Sequence, residues 1–556
     1  MARDPDRGGA FVFDLVDDGA DDSGALPAGS GAGSGGGVPG PGEPAEDEGA
    51  PADRSAARER HLRVLGPVAA VLAVVLGTGL AVEGVRDGAR MERMRDAPGG
   101  VVDVSRPLDE TWAWEGPVGR PGAEVGGWGD MVAVLGDLVV FQSEDDLVAL
   151  EPASGEEAWT VPLGADPDCG PLSAAGWGDV VTRSIVCLSG AGPDRTVVRV
   201  DPDGNVSAER ALDPADTDRY GVPRPGPAGT VLRIERVGPA DPDAVGDAAC
   251  NEMGECTGTV EEGRDLALRA EDAVTGAERW SVTVAFRATP AEQCANWSGR
   301  SWDGTMSSGM LDADDFGAQV WSGLVLLYGC GVHSAVTPEG AVLGTGTEPG
   351  AGSVERLRTG TYAEITYGEE PPRTDLLDAD GERIGEVEGY PLQALAVAGP
   401  EPETLMAVMD RRLSSYTLDA TPRWDVQVGE GLQQFLAQVG DTAVVLHARG
   451  DVRGLDLATG AERWTWDGGE PGGMSSAGRF VSLAFTDGRS VLLVVEDGYG
   501  GRGLAALDAA SGEVVWEEPA ETPDRSAGSW EGFGSGLLAV DGNLVEVTPE
   551  RVRGLG

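Results

Sequence analysis

The sequence predicts an all-β protein, a β-propeller that follows a single transmembrane helix. Three features lead to this prediction: a cassette that recurs to the end of the chain, a match between the two ends of the repeat region, and one apolar stretch without charges. The predicted division is a disordered acidic tail at 1–60, a transmembrane helix at 64–82, a juxtamembrane linker at 83–106 and a propeller at 107–556.

The cassette reads Leu-x-Ala-Leu-Asp-x-x-Thr/Ser-Gly-x-x-x-Trp, and the copy at 452–464 is among the clearest. Its alternating apolar residues predict a half-buried strand, Asp and Thr can cap a turn, and Gly tolerates positive φ. The Trp four residues after the Gly is expected to pack between neighbouring sheets. The residues that we assign as structural are Gly155, Trp159, Gly276, Trp280, Gly460, Trp464, Gly512 and Trp516, together with Trp112.

A more apolar pair of strands precedes each cassette. Together with the two strands of the cassette, this pair is predicted to form one four-stranded blade. Blades repeated around an axis form a propeller. Degenerate cassettes at 197–207, 332–343 and 374–384 bring the number of units to as many as nine. Eight blades are favoured, and seven or nine stay open.

The two ends of the repeat region match each other. Residues 552–555 repeat the pattern of 452–455, but the chain stops before the strand that should follow. Residues 107–116 resemble that missing strand, because Trp112 and Trp114 correspond to Trp464 and Trp466. We therefore expect 107–116 to close the ring as the outer strand of the last blade, which removes an open sheet edge.

The cassette resembles the repeat of the PQQ-like β-propeller family, over about residues 107–556. That family contains quinoprotein dehydrogenases, which bind a quinone beside a calcium ion over the propeller axis, and cofactor-free scaffolds such as the lipoprotein of the outer-membrane protein assembly machinery. The dehydrogenases have a disulfide between adjacent cysteines, and this chain has no Cys-Cys pair. The resemblance therefore implies the scaffold branch, with no cofactor and no metal.

Residues 64–82 contain no charged side chain and would make a helix of about 28 Å, close to the thickness of a bilayer core. A buried globular helix and a cleavable signal peptide are the alternatives. Arginines flank the stretch on both sides, so the positive-inside rule does not orient it.

All six cysteines follow the apolar stretch, which favours disulfides and an extracytoplasmic propeller, with a cytoplasmic N-terminus. Six cysteines allow fifteen pairings. Proximity in sequence suggests Cys169–Cys187, Cys250–Cys256 and Cys294–Cys330. Six free thiols in a cytoplasmic domain is the alternative, and zinc binding is disfavoured because no second close Cys or His pair is present.

The net charge is −53, and all 41 basic residues are arginines, a composition typical of a GC-rich bacterial genome. Such charge argues against nucleic-acid binding and favours cationic partners or ligands, although a solvated surface is the favoured explanation. His333 and His447 lie in predicted strands and are expected to be structural, and His61 precedes the apolar stretch. Asp201–Asn205 and Asp378–Gly381 look like parts of calcium loops but fall where the repeat needs turns. We assign no catalytic, cofactor-binding or metal-binding residue.

The predicted function is a single-pass membrane protein whose propeller binds or scaffolds an unknown protein or small molecule at the bacterial cell envelope, without chemistry. A quinoprotein-type oxidoreductase with a degenerate site and a single-pass transmembrane sensor are the alternatives. In the acidic tail, the apolar motif Phe11–Asp18 could dock a cytoplasmic partner.

Overall fold

The computed structural model describes residues 86–119, 132–172, 181–190, 195–239, 246, 248–250, 256–294, 311–344, 352–367, 371–398, 404–428, 431–447, 450–468, 480–496, 501–521 and 536–556. The chain divides into two compact units, Met1–Thr78 and Gly79–Gly556, and every described residue belongs to the second. The predicted tail, its Phe11–Asp18 motif and the predicted span at 64–82 lie outside these residues. Within them, no helix has the length and hydropathy needed to cross a membrane.

Nine antiparallel sheets form the blades of a propeller in the described part of the chain. We call the four main strands of a blade A to D, in chain order. The A strands of neighbouring blades touch, as β6 (Asp168–Gly170) touches β11 (Val222–Pro225), so strand A lies at the inner edge. Strand D, which carries the cassette Trp, lies at the outer edge.

Blades 1 to 3 occupy residues 132–284, and strand β1 (Glu110–Glu115) precedes them. Blade 1 consists of β2 (Val132–Leu135), β3 (Leu138–Ser143), β4 (Asp146–Leu150) and β5 (Glu157–Pro162). Blade 2 consists of β6, β8 (Ile185–Ser189), β9 (Thr196–Val200) and β10 (Val206–Ala211), with β7 (Val181–Thr182) between its first two strands. Blade 3 consists of β11, β12 (Thr230–Val237), β16 (Asp265–Asp272) and β17 (Glu278–Val284).

Short elements lie in the connections before, within and after blade 3. An α-helix at Pro214–Tyr220 and a 3-10 turn at Pro227–Gly229 lie beside β11. The insertion between β12 and β16 contains β13 (Ala249–Cys250), β14 (Cys256–Thr257) and β15 (Thr259–Val260). After the blade come β18 (Thr289–Pro290) and a second 3-10 turn at Ala291–Cys294.

Blades 4 to 6 occupy residues 316–427. Blade 4 consists of β19 (Phe316–Trp321), β20 (Leu324–Gly329), β21 (Val332–Val336) and β22 (Val342–Leu343). Blade 5 consists of β23 (Gly352–Arg356), β24 (Tyr362–Thr366), β25 (Arg373–Leu377) and β26 (Arg383–Glu388). Blade 6 consists of β27 (Tyr390–Leu392), β29 (Leu405–Met409), β30 (Arg412–Tyr416) and β31 (Pro422–Gln427), with β28 (Ala396–Ala398) in its first connection.

Blades 7 to 9 complete the ring. Blade 7 consists of β32 (Leu432–Val439), β33 (Thr442–His447), β34 (Val452–Asp456) and β35 (Glu462–Trp466). Blade 8 consists of β36 (Phe480–Thr486), β37 (Ser490–Glu496), β38 (Arg502–Asp508) and β39 (Val514–Glu521). Blade 9 consists of β40 (Gly536–Val540), β41 (Asn543–Val547), β42 (Arg551–Leu555) and, as its outer strand, β1.

The predicted closure by the N-terminal strand is confirmed. Strand β1 pairs antiparallel with β42, and Trp112 and Trp114 lie opposite Gly554 and Val552. Every pair of neighbouring blades shares one buried apolar cluster, including the pair formed by blades 9 and 1. The core is therefore a ring of interfaces between blades, without a break where the chain ends.

The favoured count of eight blades was wrong, and the structure has nine. The three degenerate cassettes all form complete third and fourth strands, as β9–β10, β21–β22 and β25–β26. They were hard to count because each lacks the cassette Trp. The described part of the predicted linker at 83–106 forms a helix over 86–96 and packs against the propeller through the buried side chains of Met94, Val101 and Val104.

The three predicted disulfides, Cys169–Cys187, Cys250–Cys256 and Cys294–Cys330, are all present. The first two each join residues that lie directly opposite on antiparallel strands. The third joins the second 3-10 turn to the tight turn between β20 and β21.

Candidate binding faces of the propeller

The strands of a blade alternate in direction, so its connections fall on two opposite faces. The A–B and C–D connections lie on one face, which we call the turn face. The B–C connections and the links between blades lie on the other, which we call the loop face. On the turn face, every C–D connection of blades 1–8 is a short turn such as 457–461. The loop face carries the two longest connections between blade strands, 238–264 and 285–315.

The turns of the cassette are built by the side chain of their first Asp. Asp272 Oδ1 accepts hydrogen bonds from the backbone N–H groups of Val274 and Thr275 and from the Thr275 hydroxyl, at 2.9–3.2 Å. Asp456 and Asp508 make the same three contacts in their own turns. Burial raises the pKa of Asp272, but hydrogen bonds from Arg279 and Thr275 outweigh it and bring the pKa down to about 2.

Every cassette Trp except Trp516 packs on the turn of the next blade. The Trp464 indole lies against Gly512, where an added Cβ would come within 2.5 Å of the ring, and the φ of Gly512 is +73°. The Trp464 Nε1–H donates to the carbonyl oxygen of Ala509 in the same turn at 3.0 Å. The equivalent hydrogen bonds, all of 2.8–3.0 Å, are Trp112 to Pro152, Trp159 to Pro202, Trp280 to Pro338 and Trp424 to Leu457.

The three blades without a Trp fill this position in other ways. In blade 2, the Arg210 Nε–H donates to the Ala273 carbonyl at 3.2 Å, and its guanidinium lies against Gly276. In blade 4, Leu343 packs on Gly381. In blade 5, the large and small residues of this contact are exchanged. Gly385 occupies the position of the Trp and faces Ala420 in the turn of blade 6. Ala420 has φ +64° and occupies the position where the other turns have Gly.

The N-terminal segment covers part of the turn face. The Val101 N–H donates to the Thr486 carbonyl and the Thr486 N–H to the Gly99 carbonyl, at 2.8 and 2.9 Å. The Val102 N–H donates to the carbonyl oxygen of Gly542 in blade 9 at 2.8 Å. The Val397 N–H of β28 donates to the carbonyl oxygen of Pro98 at 2.9 Å. Strands β7 and β28 add parallel partners to the inner strands of blades 1 and 7 on this same face. The inner strands of blades 1, 7 and 8 and the A–B turn of blade 9 are thus contacted by other parts of the chain.

The N-terminal helix at 86–96 also contacts the turn face. Arg90 Nη1 donates to the Asp487 carbonyl at 2.9 Å, and the Arg489 Nη2 contacts Asp87 Oδ1 at 2.6 Å. Met94 is fully buried beside Gly488. This face is therefore engaged by the protein's own N-terminal segment.

A disulfide-bonded insertion, formed by the described parts of 238–264 and 285–315, stands on the loop face over blades 3 and 4. Its buried side chains include Ala248, Val260 and Ala291, packed around Cys256, Cys294 and Cys330. Arg236 joins it to the blades, because its guanidinium donates to the carbonyl oxygens of Arg264, Asp315 and Cys330 at 2.6–3.0 Å. Arg264 pairs with Asp314 at 2.7 Å, and this hydrogen-bonded contact lowers the pKa of Asp314.

The loop face also presents a cleft and exposed aromatic side chains. A cleft of about 590 Å³ is lined by Met409, Asp410, Arg411, Arg412, Gln427 and Gly431. Tyr328, Tyr367 and Tyr390 are exposed at the loop-face ends of blades 4 to 6. The rings of Tyr367 and Tyr390 lie 6.0 Å apart, and the Tyr367 hydroxyl is 2.7 Å from Ser353 Oγ.

The residues that could have supported chemistry have structural contacts. His333 Nε2 lies 2.6 Å from the Gly352 carbonyl, and His447 Nε2 lies 2.8 Å from the Val428 carbonyl. Asp201 Oδ1 accepts the N–H groups of Asp203 and Asn205, so this calcium-like sequence forms a turn. Asp378 does the same in blade 5. No group of three His, Cys, Asp or Glu residues within the described ranges could hold a metal ion.

Sequence reasoning missed three parts of this arrangement: the role of Arg210, the exchange between Gly385 and Ala420, and the backbone of residues 98–104. A signal existed for the second, because Gly385 stands four residues after Gly381, at the spacing of the cassette Trp. Arg210 stands six residues after Gly204, so this spacing did not identify it. None existed for the third, because backbone groups leave no pattern in the sequence.

Residues 374–548 match the model of a family described as outer membrane protein assembly factor BamB. No curated protein sequence matches the chain. Among solved structures, BamB from Moraxella catarrhalis is similar at 12% identity and a TM-score of 0.35, over 81% of this chain and 98% of that one.

Two further solved structures are similar at comparable levels. The computationally designed Ika8 protein has 9% identity and a TM-score of 0.34, over 81% of this chain and 99% of that one. The quinohemoprotein alcohol dehydrogenase from Comamonas testosteroni has 11% identity and a TM-score of 0.32, over 83% and 80%. The family match over 374–548 and the nine blades formed by the described residues support a PQQ-like β-propeller.

Proposed function

We propose that this protein is a membrane-anchored, extracytoplasmic scaffold of the bacterial cell envelope, which binds a partner on its loop face and performs no chemistry. The observation behind the proposal is the difference between the two faces. The turn face has short C–D turns with Trp contacts, A–B connections that carry β7 and β28, and the protein's own residues 86–104. The loop face has the long connections, the disulfide-bonded insertion, the cleft and the exposed tyrosines. Long connections on a rigid scaffold are where binding surfaces usually form.

Two observations favour the envelope. Disulfides persist in oxidising compartments, and the described cysteines are all paired. The matched family model is named for an outer membrane protein assembly factor, which favours a role in envelope assembly. The apolar stretch at 64–82 supports the membrane anchor, with the N-terminus in the cytoplasm.

The scaffold branch of the family is favoured over the dehydrogenases by how the polar side chains are used. The two described histidines each contact a backbone carbonyl, and the Asp residues that open the cassette turns hold those turns. Each of these side chains already has a structural hydrogen-bond partner.

The test combines location with capture. Protease added to intact cells should digest the propeller and leave the N-terminal tail, while a propeller protected until lysis would contradict the proposed topology. Full-length wild-type protein should then retain an envelope partner on an affinity resin, and the Tyr367→Asp and Tyr390→Asp variant should retain less. Glu513→Arg, on the turn face, is the matched control and should behave like the wild type.

A further inference from the structure

The loop face carries a row of exposed tyrosines, which we call the tyrosine row: Tyr328, Tyr367 and Tyr390. They are 50%, 40% and 39% exposed, and the other tyrosines in the described part of the chain are not exposed. Tyr328 lies near the end of β20 in blade 4, Tyr367 follows β24 in blade 5, and Tyr390 begins β27 in blade 6. The row therefore crosses three successive blades on one face of the ring.

A series of contacts joins Tyr328 to Tyr367. Tyr328 lies opposite His333 on the neighbouring strand β21. His333 Nε2 lies 2.6 Å from the carbonyl oxygen of Gly352, at the start of blade 5. The next residue, Ser353, has its Oγ 2.7 Å from the Tyr367 hydroxyl. These contacts fix the relative positions of the two tyrosines on neighbouring blades.

The row ends beside the cleft of the loop face. The ring centroids of Tyr367 and Tyr390 lie 6.0 Å apart. Gly389 precedes Tyr390, and an added Cβ at Gly389 would lie 3.1 Å from Met409 Cβ. Met409 lines the cleft, so the aromatic rings and the cleft adjoin each other. We call the tyrosine row and this cleft together the tyrosine groove.

The polar side chains of the cleft carry both signs of charge. Asp410 offers a carboxylate, Arg411 and Arg412 offer guanidinium groups, and Gln427 offers an amide. Arg412 Nε and Nη2 both contact Asp425 Oδ2 at 3.0 Å. A cationic ligand would meet two guanidinium groups, and an anionic ligand would meet Asp410 in a chain of net charge −53. A neutral ligand rich in hydroxyl groups can donate to the carboxylate and accept from the amide without either penalty.

We infer that the tyrosine groove binds a neutral glycan chain, with sugar rings on Tyr367 and Tyr390 and hydroxyl groups hydrogen-bonded to Asp410 and Gln427. The inference rests on the proposed function, because it names the class of partner that the loop face binds. One face of a pyranose ring consists of C–H groups, and its packing on an aromatic ring removes apolar surface of both from water. The cleft, of about 590 Å³, lies within the range of small-molecule sites, about 300–1,000 Å³, and the row extends the surface for further sugar units.

The test is calorimetric titration of the full-length protein, in a detergent without sugar groups, with four neutral hexasaccharides: cellohexaose, maltohexaose, mannohexaose and chitohexaose. We expect at least one of them to bind. Hexagalacturonate, which has the same length and a carboxylate on every sugar, should bind at least about tenfold more weakly, because the net charge of the protein repels it.

Substitutions in the row identify the site. Tyr367→Ala and Tyr390→Ala each remove one ring and should raise the dissociation constant of the bound hexasaccharide about tenfold. Tyr367→Phe keeps the ring and should bind like the wild type. Leu418→Ala, which removes a similarly exposed apolar side chain from the turn face of blade 6, is the matched control and should also bind like the wild type. Equal melting temperatures of all variants show that they fold.

The possible outcomes separate this inference from the proposed function. The inference is overturned if none of the neutral hexasaccharides binds, or if both Tyr→Ala variants bind as tightly as the wild type. The proposed function survives either result if the full-length protein still retains an envelope partner that the Tyr367→Asp and Tyr390→Asp variant loses, and that partner is then a protein. If the protein binds no hexasaccharide and retains no partner, both proposals fail.

Discussion

The Trp516 indole N–H donates to the backbone carbonyl of Val104 at 2.8 Å, across 412 positions of the chain. Every other cassette Trp bonds to the turn of the next blade. In blade 9, strand C is β42 and strand D is β1. These two strands are not consecutive in the chain, so no C–D turn joins them. Residues 98–104 therefore supply the contact that the missing turn would have made, and the predicted linker is part of the propeller.

Removal of residues 1–106 should lower the melting temperature, whereas removal of residues 1–85 should leave it nearly unchanged. The longer truncation exposes Met94, Val101 and Val104 and leaves the Trp516 indole without its acceptor. Loss of these buried contacts should cost several kcal/mol, since burial of one large apolar side chain contributes about 1.5–3 kcal/mol. Calorimetry of the two truncated proteins checks this. Indistinguishable melting curves would mean that residues 86–106 do not stabilise the ring.

The contact between blades 5 and 6 predicts an interaction between two substitutions. Gly385→Trp should destabilise the protein, because even a Cβ at this position would lie 2.6 Å from Ala420 Cβ. Ala420→Gly removes that atom and should recover part of the loss, by about 0.5–3 kcal/mol in a double-mutant cycle measured by urea unfolding. For comparison, Trp464→Ala removes the large side chain from the contact between blades 7 and 8. This substitution should lower the free energy of unfolding by about 3–5 kcal/mol. If the effects of the two substitutions on the free energy of unfolding simply add, the contact between residues 385 and 420 does not replace the Trp–Gly contact of the other blades.

The disulfides should differ in their contribution to stability. Under the chain-entropy account, the bridge Cys294–Cys330, with a separation of 36 residues, stabilises by about 4 kcal/mol, and Cys250–Cys256, with a separation of 6, by about 2 kcal/mol. Replacement of each pair by Ala, followed by denaturant unfolding, measures the two values. A larger loss from the 250–256 pair would be inconsistent with this ranking.

The cassette turns predict a loss of stability in acid. Asp272 has a folded-state pKa of about 2, below its ordinary value, so its contribution is fully present above that ordinary value and is lost as the pH falls through the folded pKa. The loss should therefore develop from about pH 4 down to pH 2. Asp272→Asn should be less stable than the wild type at pH 7 and should show a smaller further decrease over this range. Parallel stability curves for the two proteins would argue against the role of the carboxylate.

The sequence predicted the parts of the fold that repeat a side-chain pattern. The spacing from Gly460 to Trp464 identified a C–D hairpin wherever it occurred, and the pair Trp112 and Trp114 identified the closing strand. The proximity of Cys169 to Cys187 predicted their bridge, because sequential strands of a blade are neighbours in the sheet.

The remaining parts of the fold depend on contacts that no repeated side-chain pattern reveals. Blades 2, 4 and 5 lack the Trp, and Arg210, Leu343 and Gly385 replace it by three different kinds of contact. The position of residues 98–104 depends on backbone hydrogen bonds, and the two faces emerge only when the strand directions are known.

The central claim, that the loop face binds the partner, can be tested with single lysines. The chain contains no lysine, so an introduced lysine is its only side-chain amine and reports the surroundings of one position to an amine-reactive crosslinker. Tyr367→Lys places this amine on the loop face, and Glu513→Lys places it on the turn face. In native envelopes, the 367 variant should crosslink to a partner that the 513 variant and the wild type do not capture. A partner captured from position 513 and not from position 367 would contradict the account.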